Sequence, residues 1–459
     1  MSEQTSFLER AATKSADKVH AANIFKAVTS FEQAHIQTKQ NQFHDWQDAR
    51  ERAAEIKDDV LNRLPDLLET FEKNISARGT KVLWAEDADE ARRHFMEIAR
   101  KHKARKIVKA KSMATEEIEL NELLESEGLD VIESDLGELI VQLGREKPYH
   151  IIAPAIHKTK EEIAQLFHEK LDAPLTDSPE ELTMVARAHL RKIYVTADIG
   201  VSGANFLIAD EGAIEMTENE GNGRLSMSCP PVHVVICGIE KVLPRMTDLA
   251  FFLPLLATGA TGQQISCYNS IVRGPRQPGE TDGPEHMYVI LLDNGRTNLY
   301  ANEAVRRSLR CIRCGACLNT CPVYRTVGGH AYNTPYQGPI GSVISPHLQG
   351  LKDWNHLSFA SSLCASCSDI CPVNIDLHHL LLENRKQAVE QKSAGKAWSV
   401  MMKIWAYAMS DRLRLNRLRV LGEFGEKLTP LFIKREKRRR IPKLANKTFQ
   451  QWWRENEES

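Results

Sequence analysis

The chain has 459 residues, 42% hydrophobic and 26% charged, with 60 Lys and Arg against 61 Asp and Glu for a net charge of −1. That length and balance supply core material for about three domains and give no overall pull toward nucleic acid. The longest strongly apolar run, Leu249 to Ala257, falls far below the ~20 residues of a membrane span. The first ten residues lack the basic start and apolar run of a secretory signal, so a cytoplasmic location is expected.

Residues 1–75 read as a helical N-terminal arm. Trp46, Ala49, Ala53 and Ile56 recur at helical spacing among charges, Pro65 opens the next turn, and Leu64, Leu67, Leu68 and Phe71 continue an apolar face. Residues 76–300 read as an α/β domain. β-rich runs at Lys81–Trp84, Lys106–Val108, Leu129–Ile132 and His150–Ile152 alternate with amphipathic helices over about 88–103, 115–126, 159–170 and 179–191. Strand then helix, repeated with short connections, predicts a parallel sheet covered by helices. The runs Phe206–Ile208, Ala213–Met216, Val232–Ile236, Ile265–Tyr268 and Tyr288–Leu292 then read as further strands of that sheet or a small subsheet.

Residues 301–390 carry the cysteines, and residues 391–459 form a basic helical C-terminal region. Trp398, Met401, Met402, Trp405 and Met409 mark an apolar helical face suited to docking. Lys434 to Lys443 holds seven basic residues in ten. Peripheral contact with an anionic membrane face or an acidic partner stands there beside a merely solvated tail. Without interleaved aromatics, no nucleic-acid role is expected.

Seven of the ten cysteines fall between Cys311 and Cys371. Such density in a reducing compartment points to metal or redox chemistry rather than disulfides. The first motif, Cys311-Ile-Arg-Cys314-Gly-Ala-Cys317-Leu-Asn-Thr-Cys321-Pro322, has the bacterial spacing for a [4Fe–4S] cluster, in which the fourth cysteine reaches a different cluster. The second, Cys364-Ala-Ser-Cys367-Ser-Asp-Ile-Cys371-Pro372, aligns on its Cys-Pro ending and has Ser361 where its first cysteine would stand. The crossing rule therefore assigns Cys311, Cys314, Cys317 and Cys371 to cluster 1, and Cys321, Cys364 and Cys367 to cluster 2. Cluster 1 is expected to be [4Fe–4S]. Cluster 2 is either [3Fe–4S] or [4Fe–4S] with Ser361, water or a partner's group on the last iron. A zinc site closes with four ligands and does not call for this interleaving. Cys229, Cys237 and Cys267 read as small buried hydrophobes.

No G-x-G-x-x-G follows a strand, no phosphate-binding P-loop pattern is present, and no adjacent Cys-Cys pair occurs. Clusters without a recognisable hydride or substrate cofactor describe a wire that needs a partner.

Lys109-Ala-Lys-Ser-Met-Ala-Thr-Glu-Glu117, Glu133-Ser-Asp-Leu-Gly-Glu138, Pro154-Ala-Ile-His157 and Glu211-Gly-Ala-Ile-Glu215 resemble the LUD (lactate utilization) domain. Tyr336-Gln-Gly-Pro-Ile-Gly341 and Ser361-Ser-Leu-Cys364 are similar to the cluster region of the lactate utilization protein B family, and the likeness spans nearly the whole chain. The family pattern also lacks the first cysteine of the second motif. The resemblance implies a sugar-isomerase/CoA-transferase-like α/β fold joined to an α-helical, two-cluster ferredoxin-like domain. It implies an iron–sulfur electron-transfer subunit for oxidation of L-lactate to pyruvate, allowing growth on lactate. Two companions are implied, one with Cys-Cys-Gly modules and one a short LUD protein. The alternative is that the chain is itself a 2-hydroxy-acid dehydrogenase subunit binding substrate in the LUD domain; no catalytic residue is assigned.

Open α/β sheets bind ligands beyond the carboxyl ends of their strands. Lys109, Lys111 and Ser112 follow one run, Asp135 a second and His157 a third, a set able to bind an anion such as a carboxylate, or else solvated or structural loop residues. Glu215, Glu218 and Glu220 with Arg224 read as a paired surface network.

Overall fold

The computed structural model describes residues 6–391, 396–411, 414, 445, 447 and 449–457, and divides into compact units before and after Gln387. Four helices open the chain: α1 (Phe7–Ala16), α2 (Lys18–Gln42), α3 (Trp46–Asn62) and α4 (Leu64–Ser76). Side-chain oxygens of Ser6, Asp17 and Asp45 cap the first three, satisfying amides that have no partner within the helix. Pro65 sits in the first turn of α4, where its missing N–H costs nothing.

Ten strands follow among the described residues: β1 (Lys81–Ala85), β2 (Lys106–Lys109), β3 (Asp130–Glu133), β4 (Ile199–Ser202), β5 (Phe206–Ile208), β6 (Ala213–Glu218), β7 (Val232–Gly238), β8 (Val242–Leu243), β9 (Tyr268–Val272) and β10 (His286–Leu292). Six form a wholly parallel sheet in the order β1-β10-β7-β4-β2-β3, and the other four form a mixed sheet, β8-β5-β6-β9. β7 is buried along its whole length, as a strand covered on both faces must be. One face packs Phe95, Ile98, Leu120 and Leu124 against Ile107, Val234 and Ile290; the other takes Leu67, Leu68 and Phe71 of α4 against Val235, Val289 and Leu291.

Several expected elements shift. His150–Ile152 is irregular rather than a strand, because Tyr149 and His150 turn inward to pack on the cysteine segment. The run at Ile265–Tyr268 becomes β9 only from Tyr268 onward. The helix expected over 115–126 breaks at Glu119, which has φ 50°.

Residues 302–387 contain no strand. Their short helices share one core with Ile24 and Val28 of α2, Ala53 and Leu61 of α3, and Phe252, Leu255 and Leu256 of the helix Leu249–Thr261. Each such large side chain contributes about 1.5–3 kcal/mol on burial. The run Leu249–Ala257 is therefore a buried helix, and no helix among the described residues is long and apolar enough to cross a membrane. In the second unit the helix Lys396–Met409 exposes Met401, Met402, Trp405 and Met409. The basic run 434–443 lies outside the described residues.

Candidate iron–sulfur centres and the adjoining cleft

The two cysteine motifs fold into the same loop. In the first, Arg313 and Gly315 have φ of 62° and 78°; at the aligned places of the second, Leu363 and Ala365 have φ of 56° and 66°. A short helix follows each, Ala316–Asn319 and Ser366–Ile370. The Arg313 N–H donates to Cys311 Sγ at 3.4 Å, and the Leu363 N–H donates to Ser361 Oγ at 3.1 Å. The Ser361 hydroxyl thus takes the role in its turn that the Cys311 sulfur takes in the other. Beyond the loops, the Tyr324 N–H donates to Cys321 Sγ at 3.5 Å and the Ile375 N–H to Cys371 Sγ at 3.4 Å, each just past a Cys-Pro step.

Cys311, Cys314, Cys317 and Cys371 line one small cavity walled by Ile312, Ile340, Val373, Ile375 and Leu377. Cys321, Cys364 and Cys367 form a second group: burial raises the pKa of Cys321 and of Cys367, Cys364 adds to both, and Cys321 adds to Cys367. Cys367 also acts on Cys317, so the groups are neighbours. Burial drives Cys367 up to about 12 and Cys371 to about 11, so these thiols ionise only where cationic metal compensates. Cys364 differs, being exposed and lowered by its hydrogen bond to Ser366.

The donor set fits an inorganic core wider than a single ion. Tetrahedral zinc, with Zn–S of about 2.3 Å, draws its sulfurs to about 3.8 Å apart. Among the described residues no three cysteine sulfurs lie mutually within 4.8 Å, and every cysteine is free of disulfide bonding. Thiol donors, apolar walls and backbone N–H groups aimed at sulfur are what an iron–sulfur cluster requires.

Beside the first group lies a cleft of about 320 Å³ at the carboxyl ends of the parallel strands. It is lined by Lys111 and Ser112 after β2, Asp135 after β3, Asn205 after β4, Gly238 at the end of β7 with Glu240 and Lys241 beyond it, and Arg296 after β10. Arg313 and Tyr336 close it from the cysteine side. Buried Arg296 grips Glu117 through two bonds of 2.8 Å and donates from Nε to Glu240 Oε2 at 2.6 Å. Arg313 Nη2 reaches Glu240 Oε1 at 3.1 Å, and the Tyr336 hydroxyl donates to Glu117 Oε2 at 2.6 Å. Burial opposes the Glu240 carboxylate, but Arg296 and Arg313 outweigh it and hold its pKa at about 2.

Comparison with known proteins agrees with both halves of this arrangement. Residues 68–292 match the LUD domain and residues 307–375 a 4Fe-4S dicluster domain. The chain is 46% identical over 353 residues to lactate utilization protein B of Bacillus velezensis, covering 77% of this chain and 74% of that one. It is 46% identical over 348 residues to lactate utilization protein B of Bacillus subtilis (76% and 72%). It is 40% identical over 388 residues to the uncharacterized electron transport protein YkgF of Escherichia coli (84% and 82%). The chain belongs to the lactate utilization protein B family.

Within the LUD domain the residues expected to form an anion site divide. Lys111, Ser112 and Asp135 line the cleft, with Lys111 Nζ 3.3 Å from Asp135 Oδ2. Lys109 does not reach it: fully buried, it bonds Glu133 at 2.7 Å, Glu116 at 3.2 Å and Thr115 at 2.9 Å. Burial disfavours that ammonium, yet Glu133 and Glu116 outweigh it and keep it charged. His157 also lies apart, stacked on Tyr149 and bonded to Glu146 at 2.7 Å.

The acidic loop is not a surface ion-pair network. Glu215 is fully buried, accepts only from Thr217 on one oxygen, and is pushed by burial to about 7. Glu218 accepts from the Gly223 and Arg224 amides, while Glu220 turns into the cleft. Of the other cysteines only Cys237 is buried; Cys229 and Cys267 are exposed, because they occupy loops beside the sheets. Glu240, Lys241, Arg296 and Arg313 escaped the sequence reading. The usable signal was Glu240-Lys241 directly after the β7 run, where a carboxyl-end site belongs.

Proposed function

We propose that the chain is an iron–sulfur electron-transfer subunit in the oxidation of L-lactate to pyruvate. Cys311, Cys314, Cys317 and Cys371 hold a [4Fe–4S] cluster 1, and Cys321, Cys364 and Cys367 hold cluster 2. The observation that carries this reading is the duplicated loop, with matched left-handed residues and N–H···S bonds. The second loop's Ser361 hydroxyl supports a [4Fe–4S] cluster 2 in which that oxygen faces the last iron. Two such clusters supply two one-electron stations, matching the two electrons that leave L-lactate as it becomes pyruvate.

The names of the relatives support lactate as the substrate of the system in which the chain works. The companions in this reading are a protein with Cys-Cys-Gly modules and a short LUD protein, and the complex works in the cytoplasm. In this reading electrons pass to a companion on the cluster 2 side, which the exposure of Cys364 supports.

Anaerobic purification tests the proposal. About eight irons and a matching amount of acid-labile sulfide per chain are expected, with two interacting paramagnets on reduction. Ser361→Cys is expected to keep the iron count and alter only the cluster 2 signal. Zinc in place of iron, or no sulfide, would overturn the reading; about seven irons with a three-iron signal would overturn the role of Ser361.

A further inference from the structure

The cleft between the LUD sheet and the cluster 1 loop holds cationic groups whose hydrogen-bonding capacity the described residues do not fill. Arg313 is only 8% exposed; its Nη2 bonds Glu240, but its Nη1 is buried without a partner among the described residues. The guanidinium carbon lies over the Tyr336 ring, 4.8 Å from its centre, a cation–π contact that helps to hold it in the cleft wall. Lys241 lines the same cleft, and its Nζ makes no hydrogen bond or ion pair among the described residues. Arg296 is already satisfied by Glu117 and Glu240. Three cations, Lys241, Arg296 and Arg313, thus meet two carboxylates, Glu117 and Glu240, with the Cys311 sulfur of the cluster 1 loop as the further negative group near Lys241 and Arg313. A buried guanidinium nitrogen without an acceptor is costly to keep, and a ligand oxygen removes that cost.

The other side of the cleft has the opposite character. Asp135, Glu218 and Glu220 line it together with Lys111. An anion is repelled there and drawn toward Lys241 and Arg313. The volume, about 320 Å³, equals roughly ten waters at about 30 Å³ each. That admits a ligand of a few heavy atoms with its hydration and is too small for a dinucleotide.

We infer that this cleft binds a small carboxylate of the size of a 2-hydroxy or 2-oxo acid, with its carboxylate oxygens on Lys241 Nζ and Arg313 Nη1. The inference rests on the lactate-utilization reading only for the choice of acid; the anion site stands on the unpartnered cations. Because Arg313 lies between Cys311 and Cys314, the bound acid sits against the cluster 1 loop, and binding and the electronic state of that cluster are coupled. Burial and the Arg313 charge both press on the Lys241 ammonium, and an anion between them relieves both.

The test is a titration of the anaerobically purified full-length protein with L-lactate, pyruvate and acetate at fixed ionic strength. It is read by calorimetry and by the paramagnetic signal of the reduced protein, with iron and sulfide measured on the same sample. One site per chain is expected for lactate or pyruvate, with a change in the cluster 1 signal. Lys241→Met is expected to weaken binding about ten- to a hundredfold at unchanged iron content. Lys352→Met, at an exposed position outside the cleft, is expected to leave it unchanged. Full iron content with no saturable carboxylate binding would overturn the site while leaving the electron-transfer reading intact. So would binding unaffected by Lys241→Met, or a Lys241→Met effect on the cluster signal alone, which would mean that the lysine only balances cluster charge. Missing iron and sulfide with intact pyruvate binding would overturn the electron-transfer reading and leave the site standing.

Discussion

Arg313, between the first two cysteines of the first motif, donates to Glu240, just past the carboxyl end of β7, at 3.1 Å. The cluster 1 loop is thereby pinned to the sheet by a buried ion pair whose acid also holds Arg296. Removing one partner of such a network leaves charge stranded away from water. Glu240→Ala is therefore expected to cost about 3–5 kcal/mol of unfolding free energy in urea denaturation. A loss below 1 kcal/mol would mean that the guanidinium groups find other partners.

The same carboxylate sets an acid limit. Its pKa in the fold is about 2, against 4.5 ordinarily. A lowered acid contributes stability that is fully present above pH 4.5 and is lost as pH falls from 4.5 toward 2, amounting to about 3 kcal/mol. Thermal unfolding of Glu240→Gln compared with the parent should show its largest difference above pH 4.5 and a shrinking one below.

Glu215 behaves in the reverse sense. Its pKa is raised to about 7 by burial, and one oxygen has no partner among the described residues. Between pH 4.5 and 7 the folded chain binds a proton that the unfolded chain does not, so stability falls as pH rises through that window. Glu215→Gln keeps the acceptor for Thr217 and removes the titration. A higher melting temperature at pH 8 and little change at pH 5 are the expected results; equal shifts at both would argue against a buried titrating acid.

Ala365 occupies with φ 66° the place that Gly315 occupies with φ 78° in the first loop. A Cβ costs about 1–2 kcal/mol in that region of backbone space. Ala365→Gly should stabilise the protein by about 1 kcal/mol once the added freedom of the unfolded glycine is subtracted. Gly315→Ala should destabilise it by more, because the new methyl would also meet Ile152 at 3.1 Å.

Gly259, in the helix Leu249–Thr261, leaves room for Cys314: a Cβ there would lie 3.0 Å from the sulfur and 3.4 Å from Pro372. Gly259→Leu is expected to displace the Cys314 and Cys371 ends of cluster 1 and reduce the iron content from about eight to about four per chain. Unchanged iron would show that the helix yields instead.

The parallel sheet was legible because its inner strands, β7 and β10 above all, are covered on both faces and read as short continuous apolar runs between amphipathic helices. β4, Ile-Gly-Val-Ser, was not, since four residues with a central glycine carry no such signal. The cysteine motifs were legible because their ligands sit close together in sequence. The ionic wall of the cleft was illegible for the opposite reason: Glu117, Glu240, Arg296 and Arg313 come from four distant stretches and resemble surface charge until the fold joins them. Lys109 misled in the same way. At the end of a strand it reads as a ligand-facing cation, and only the pairing of β2 with β3, which sets Lys109 opposite Glu133, shows it to be an internal strut.

The core that encloses the cysteines draws Ile24, Val28, Ala53 and Leu61 together with residues from Leu299 to Leu381. During synthesis the early helices must wait for nearly the entire polypeptide before their greasy sides find cover, and contacts this remote in sequence close slowly. The walls of the cysteine pocket are consequently complete only once the residues up to Leu381 have been made. A truncated or prematurely released chain would present the cell with sticky helices and no place to put iron.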